Sequence, residues 1–529
     1  MRDFHHAGRS TVHGANGAIA TSQPLATMAG LDILKAGGNA IDAAIAASAV
    51  LCVVEPMMTG IGGDCFALIA KHGKLPVLGL NASGRSPAAL TADKVRAQGH
   101  DIMPTHSVDA VTIPGALAGW DAMLAAHGTM SLGDVLQPAI QLAHDGYVVS
   151  PRVGMDWLFL APLLQKNEAA TKHFTGDGQA PAIGSIFKTP ALGKTLEVIA
   201  AQGITAFYDG PLTDEMVATL QGLGGNHTRD DFAAACADWV TPLASDYRGY
   251  TLYEIPPNGQ GIAAQLILNI LEGYKFDGIG AEDALRYHRA VEAQRFAMQA
   301  RDTYVADQDY ADVPVAGLLD KAYAARLRDQ INDDTAMADI ALTAPVSRSD
   351  TICLSVIDKD RTAVSFINSV YMGFGSGICT PDSGIMFQNR GAGFSLEPGH
   401  LNELAGNKRP KHTIIPAMLT RDGRPLAAYG VMGGDYQAMG HAHFAQNLID
   451  FDLDLQEAVD CPRVFWNQGV IETENSVADA ARQGLESRGH KLGPAMLPHG
   501  GAQAVRIDWD HGTLCAASDP RKDGLALAY

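Results

Sequence analysis

Residues 40–54, AIDAAIAASAVLCVV, constrain the fold more than any other stretch. Spaced as a helix, they place small or apolar side chains on every face, and a helix that is apolar all round lies inside a protein. Asn39 suits the cap of its first turn, with Asp42 three positions on, and Glu55–Pro56 stops it. A preceding helix opens at Pro24 and closes at Gly37–Gly38. Helices of this kind need covering layers, which the rest of the chain has to supply.

Next comes TGIGGDCFALIA, a glycine turn running into an apolar strand, and residues 63–81 suit short strands with a hairpin at HGK. The TGIGGD glycines are expected to serve a tight turn with positive φ. Helix before strand is the wrong order for a dinucleotide loop, and no GxxxxGK[ST] occurs. From Pro114 to Pro345 the pattern is mainly helical, as in PGALAGWDAMLAAHG and DALRYHRAVEAQRFAMQARD. After Asp350 the chain turns to strands. TICLSVID and TAVSFINSVY flank the turn KDR, and HTIIPAMLTRDGRPLAAYG reads as a second hairpin. A helix at HAHFAQNLIDF and strands AVRIDW and GTLCAAS follow. Neither the helix-rich part nor the strand-rich part has enough covering elements of its own, so one layered α/β body is expected.

The net charge of −19 and pI near 5.3 argue against a nucleic-acid or acidic-membrane partner. The apolar run Ala43–Val54 is too short to span a bilayer. No apolar signal core appears in MRDFHHAGRSTVHGANG. The seven cysteines are odd in number and form no CxxC pair, which favours free buried thiols in a reducing compartment. A cytoplasmic location is the expectation. His441 and His443, at i and i+2 of a helix, point to different faces, so neither metal nor cofactor is expected.

Two short stretches bear on chemistry. In SRSDTICLSVID (347–358), Thr351 opens a strand, where threonine is at home for structural reasons alone. In MGGD (432–435), adjacent glycines between a strand and a helix leave amides that can hold a developing oxyanion. On this local pattern alone a plain tight turn is the favoured reading.

Taken together, longer stretches resemble the gamma-glutamyltransferase family of N-terminal nucleophile hydrolases. They are GGNAIDAAIAASAVLCVVEPMMTGIGGD (37–64), PGALAGW (114–120), LQPAIQLAHDGYVVSP (136–151), PPNGQG (256–261) and EAQRFAMQARDTYVAD (292–307). DTICLSVIDKD (350–360), FGSGI (374–378), GNKRPKHTIIPAM (406–418), GGD (433–435) and DPRKDG (519–524) complete the series in family order. The resemblance implies an αββα sandwich cut by its own chemistry at Asp350–Thr351. Residues 1–350 would form a large, helix-rich subunit and 351–529 a small, strand-rich one, both within one integrated fold. A hydroxyl needs a base beside it to attack at neutral pH, and the cut frees an α-amine on Thr351 itself, with an ordinary pKa near 8. By position Ser369 orients Thr351, and Gly433 and Gly434 form the oxyanion hole.

The substrate pocket departs from the family. Where an arginine of the family grips the donor's α-carboxylate, ungapped alignment places Ser83, with Arg85 displaced by two. The paired serines become His412 and Thr413, the acid that grips the α-amino group becomes Gly393, and its neighbouring glutamine becomes Arg390. Tyr371 replaces an asparagine at the entrance, and Asp435 closes the GGD turn. Arg85, Arg390, His412, Thr413, Asp435 and Tyr371 are therefore the candidate substrate contacts. Arg85, Arg390 and His412 are fit to bind a carboxylate. The expected activity is amide cleavage through a threonyl acyl-enzyme, with transfer to water (as in glutathione hydrolysis) or to an amine. The alternatives are another small amide, oxamate-like or glutaryl-like as in cephalosporin acylases, or an uncut, catalytically silent binding protein. The partners expected are a small amide and the two subunits of one precursor. A homo-oligomer of that pair is left open.

Overall fold

The computed structural model describes residue 5, residues 8–338 and residues 351–529. Two seven-stranded antiparallel sheets face each other. One runs, in spatial order, Val12–Gly14, Thr513–Ser518, Gly501–Asp508, Arg424–Met432, Ala417–Arg421, Tyr250–Glu254 and Leu243–Tyr247. The other runs Leu525–Ala528, Ala18–Thr21, Ile352–Ile357, Ala363–Ser369, Asp64–Ala70, Val77–Ala82 and Asp238–Val240. Each sheet draws strands from both sides of position 351.

The strand Ile352–Ile357 is buried at every position because both its faces are covered. Cys353 and Ser355 point between the sheets, where they donate to the carbonyls of Gly430 and Gln503. Phe66, Ile255, Ile367, Met418 and Met432 fill that interface. Ile352, Leu354 and Val356 point outward, onto the helix Ala40–Val54. Each large apolar side chain so buried contributes about 1.5–3 kcal/mol. The helices Gly261–Leu271, Ala284–Tyr304 and Tyr436–Ile449 cover the other sheet. The result is the αββα sandwich.

The helix Ala40–Val54 starts as its sequence suggested. Asn39 Oδ1 accepts from the amides of Ile41 and Asp42 at 2.9 and 3.1 Å, and Asp42 returns the bond to the Asn39 amide at 2.8 Å. The expected hairpins around HGK, KDR and DGR are all present.

Three readings need correction. Strands Asp238–Val240, Leu243–Tyr247 and Tyr250–Glu254 interrupt the stretch read as mainly helical. Asp238–Val240 and Tyr250–Glu254 are held by sheet neighbours distant in sequence, Val77–Ala82 and Ala417–Arg421, which local pattern does not carry, while Leu243–Tyr247 pairs with Tyr250–Glu254 in a short local hairpin that the helical reading passed over. The hairpin strand read from His412 begins only at Ala417, after Pro416, which has no amide to donate to a ladder. The TGIGGD glycines do not have positive φ. They are required by close approach instead. A Cβ on Gly62 would sit 2.1 Å from the Met386 carbonyl oxygen, and one on Gly63 would sit 2.2 Å from that of Ser369.

His441 is locked between Glu254 and the Val431 amide, and His443 bonds Arg286. All seven cysteines are free, and Cys236 alone among them is exposed. Among the described residues no helix is long and apolar enough to cross a membrane.

Candidate active site

The register Ile352↔Asn368 brings Thr351 opposite Ser369 at one end of the central strand pair. Both are fully buried, with their hydroxyl oxygens 3.2 Å apart. Ser369 Oγ also accepts from the Tyr371 amide at 2.9 Å and from Arg390 Nη2 at 3.3 Å. Its two lone pairs are thus taken, and its one hydrogen is left to donate to Thr351 Oγ1. Thr351 keeps its own hydrogen free for removal by a base. Asp350, on the other side of the expected cut, lies outside the described residues.

Arg390 is fully buried and stacks at 4.0 Å on the ring of Tyr371. Its Nη1 donates to Thr413 Oγ1 at 2.9 Å, while Nε has no partner among the described residues. No carboxylate among the described residues forms an ion pair with it. Burial lowers its pKa to about 10, against weaker opposition from Tyr371, Asp64 and Asp435. A cation this buried and this poorly compensated is a receptor for an anion.

The glycine turn joins the same network through Gln260. Its Nε2 donates to the carbonyls of Thr413 and Gly434 at 2.7 and 3.0 Å. Arg301 fixes the other end of that amide, donating to Oε1 at 2.9 Å. Gly433 and Gly434 have φ of 122° and 61°, a conformation that favours glycine. Neither of their amides donates to another described residue.

Asp64 forms the floor, and the register places it beside Ser369. Its Oδ1 accepts from Gly84 and Gly115 amides at 2.9 and 3.1 Å and from Gln388 at 2.8 Å. His412 Nε2 bonds Oδ2 at 3.1 Å, and the His412 Nδ1 accepts from the Ile414 amide at 3.4 Å. Burial, with the nearby charge of Arg390, lowers the His412 pKa to about 3, so its ring is neutral. Both its nitrogens are committed, and it supports the floor without offering a contact.

The expected residues therefore divide. Thr351, Ser369, Tyr371, Arg390, Thr413 and the Gly433–Gly434 turn share one network. Arg85 does not join it. It pairs with Asp307 at 3.2 Å and Asp309 at 2.8 Å, and its Nη1 also donates to the Asn407 carbonyl at 3.0 Å. Asp435 is paired to Arg301 at 2.5 Å. Ser83 donates its hydroxyl hydrogen to Asn81 at 2.7 Å and accepts from Asn258 at 3.2 Å. Asp64 and Gln260 were not singled out from sequence. Their signal was present, as lone polar residues in the glycine-rich stretches TGIGGD and PPNGQG.

The gamma-glutamyltranspeptidase family model matches residues 26–529. The glutathione hydrolase-like YwrD proenzyme of Bacillus subtilis (strain 168) is 39% identical over 530 residues, covering 98% of this chain and 99% of that one. The oxamate amidohydrolase proenzyme of Klebsiella pneumoniae is 34% identical over 539 residues, covering 99% and 100%. Among solved structures, a cephalosporin acylase from Bacillus halodurans superposes with a TM-score of 0.93 at 39% identity, covering 100% of this chain and 98% of that one.

Proposed function

The chain belongs to the gamma-glutamyltranspeptidase family, and from that premise we propose that it is a self-cleaving amidohydrolase with Thr351 as nucleophile. In maturation, the Thr351 hydroxyl attacks the Asp350 carbonyl carbon, the peptide nitrogen leaves as the α-amine of Thr351, and water hydrolyses the resulting ester. In turnover that amine removes the proton from Thr351 Oγ1, the hydroxyl attacks the substrate amide, and the amine returns the proton to the departing nitrogen. Water or an acceptor amine then takes the acyl group. Ser369 orients the nucleophile, and the unclaimed amides of Gly433 and Gly434 receive the oxyanion.

The observation that carries this reading is the Thr351–Ser369–Arg390 chain of hydrogen bonds. It sets an uncompensated guanidinium two hydrogen bonds away from the nucleophile. The donor is therefore an amide whose acyl part carries a carboxylate. Among the described residues no free acid of the site stands ready for an α-ammonium group, since Asp435 is paired and position 393 is glycine. This favours acyl amides that lack an α-amino group, such as oxamate or glutaryl amides, over glutathione.

Mass spectrometry and a substrate panel test it together. The wild type should yield fragments meeting at 350/351, and Thr351→Ala should remain intact and inactive. Thr351→Ser should keep part of both functions. Oxamate and glutaryl amides should be hydrolysed with higher kcat/KM than glutathione. Cleavage at 350/351 in Thr351→Ala would refute the nucleophile. A preference for glutathione would refute the substrate assignment.

A further inference from the structure

Three ligating side chains converge outside the first sheet, away from the Thr351 network. His288 and Glu292 are four residues apart on the helix Ala284–Tyr304, so they share one face. His490 follows the helix Asp479–Ser487. All three are buried, and their ligand atoms lie within 4.8 Å of one another. His288 Nδ1 is 2.7 Å from His490 Nε2, which is 3.7 Å from Glu292 Oε1.

The orientation of His288 is fixed from behind. Its Nε2 donates to the Asn332 carbonyl at 2.8 Å, so Nδ1 carries a lone pair aimed at His490. A carbonyl behind a ligating imidazole is the usual outer-shell arrangement of a metal site. Glu292 is fixed likewise, accepting from Arg295 Nη1 at 3.0 and 3.2 Å. Arg295 in turn donates to the Met337 and Ala338 carbonyls. The 3.7 Å gap from His490 to Glu292 is too long for a hydrogen bond. Two ligands on a tetrahedral ion with 2.0–2.1 Å bonds lie about 3.3 Å apart, so Glu292 has to close slightly on His490, and the imidazoles, 2.7 Å apart in their hydrogen bond, have to part by roughly half an ångström to admit the ion. A cavity of about 270 Å³ opens beside His490, Arg295 and Trp466, with room for a water as fourth ligand.

We propose that His288, Glu292 and His490 bind one first-row divalent transition cation of the zinc class. The ion takes Nδ1 of His288, Nε2 of His490 and Oε1 of Glu292. The hydrogen that His490 shares with His288 moves to His490 Nδ1, so no proton is released. Two imidazoles and one carboxylate select zinc or cobalt over magnesium or calcium. Arg295 already neutralises Glu292, so the ion adds charge that the site does not balance, and the affinity is moderate. Two ligands precede position 351 and one follows it. The ion therefore clamps the two parts of the chain together.

The test is titration of EDTA-treated, dialysed full-length protein with Zn2+ by calorimetry, and with Co2+ by visible absorption. One equivalent should bind with Kd of order micromolar, Co2+ should give tetrahedral d–d bands, and Zn2+ should raise the melting temperature. Glu292→Gln and His490→Gln should each weaken binding at least tenfold and abolish the thermal shift, with amide hydrolysis by the metal-free enzyme unchanged. If His490→Gln fails to fold by circular dichroism, Glu292→Gln decides. No stoichiometric binding in the wild type overturns the proposal. So does binding that both variants keep, or binding that only a His5→Ala/His6→Ala variant loses.

Discussion

Replacing Arg390 by methionine separates recognition from folding. The apolar stem is kept and the charge is removed. Burial lowers the guanidinium pKa from its ordinary value to about 10, which corresponds to about 3 kcal/mol against the charged form. Because the folded pKa lies below the unfolded one, that penalty acts in full below pH 10 and fades as pH rises toward the ordinary value. Removing it is offset by the loss of two charge-assisted hydrogen bonds, to Thr413 and Ser369, each about 1.5–3 kcal/mol. The stacking on Tyr371 is lost as well. For a chain of 529 residues one kcal/mol moves Tm by only about one degree. Arg390→Met should therefore melt within a few degrees of the wild type.

Catalysis should respond quite differently. Removing one partner of a buried, hydrogen-bonded charge pair costs about 2–5 kcal/mol, so kcat/KM on a carboxylate-bearing amide should fall roughly 30-fold to several thousand-fold. On a neutral amide of the same size the fall should stay below about tenfold, reflecting only the disturbance of Ser369. The assay measures kcat/KM for the matched pair of amides, with melting curves taken with and without the product acid. The acid should stabilise the wild type and leave Arg390→Met unmoved. Equal losses on both amides would mean that Arg390 acts only through Ser369. Unchanged kinetics on the acidic amide would place the carboxylate elsewhere.

Other outcomes follow from neighbouring groups. Raising the pH through about 10 should increase KM for acidic amides and not for neutral ones, because Arg390 loses its proton there; parallel profiles would refute this. Arg85→Lys should leave KM within about twofold, since its salt bridges to Asp307 and Asp309 are partly exposed, and a large rise in KM would return it to the site. Asp64→Asn should lower stability by about 3 kcal/mol, read as a melting shift, because an amide NH2 would face one of the donors that the carboxylate accepts. Gly433→Ala should lower kcat more than it raises KM. A Cβ there would meet the Gly500 Cα at 2.8 Å at a φ of 122°, so the turn must shift and misplace its amides; a normal kcat would exclude the turn from the oxyanion site.

What could be read from the sequence depended on the range over which each signal acts. The buried helix, its Asn39–Asp42 box and the three hairpins are decided within a few residues, and each appears as expected. Of the strands at 238–254, Asp238–Val240 and Tyr250–Glu254 are held by sheet neighbours far along the chain, and Leu243–Tyr247 pairs locally with Tyr250–Glu254 through a half-polar hairpin whose pattern is weak. The site divides in the same way. Thr351 and the glycine pair stand where a structural role would explain them, and only the resemblance carried by the whole chain singles them out. The fates of Arg85, Arg390 and His412 are set by residues far from them in sequence: Asp307 and Asp309 claim the first, Asp64 claims the last, and no carboxylate among the described residues claims Arg390. From the sequence all three were fit to hold a substrate carboxylate. Charge compensation distinguishes them, because an arginine with a carboxylate partner has already spent its binding capacity on the fold. Arg390 alone of the three has no carboxylate partner among the described residues, which leaves its charge open to a substrate's.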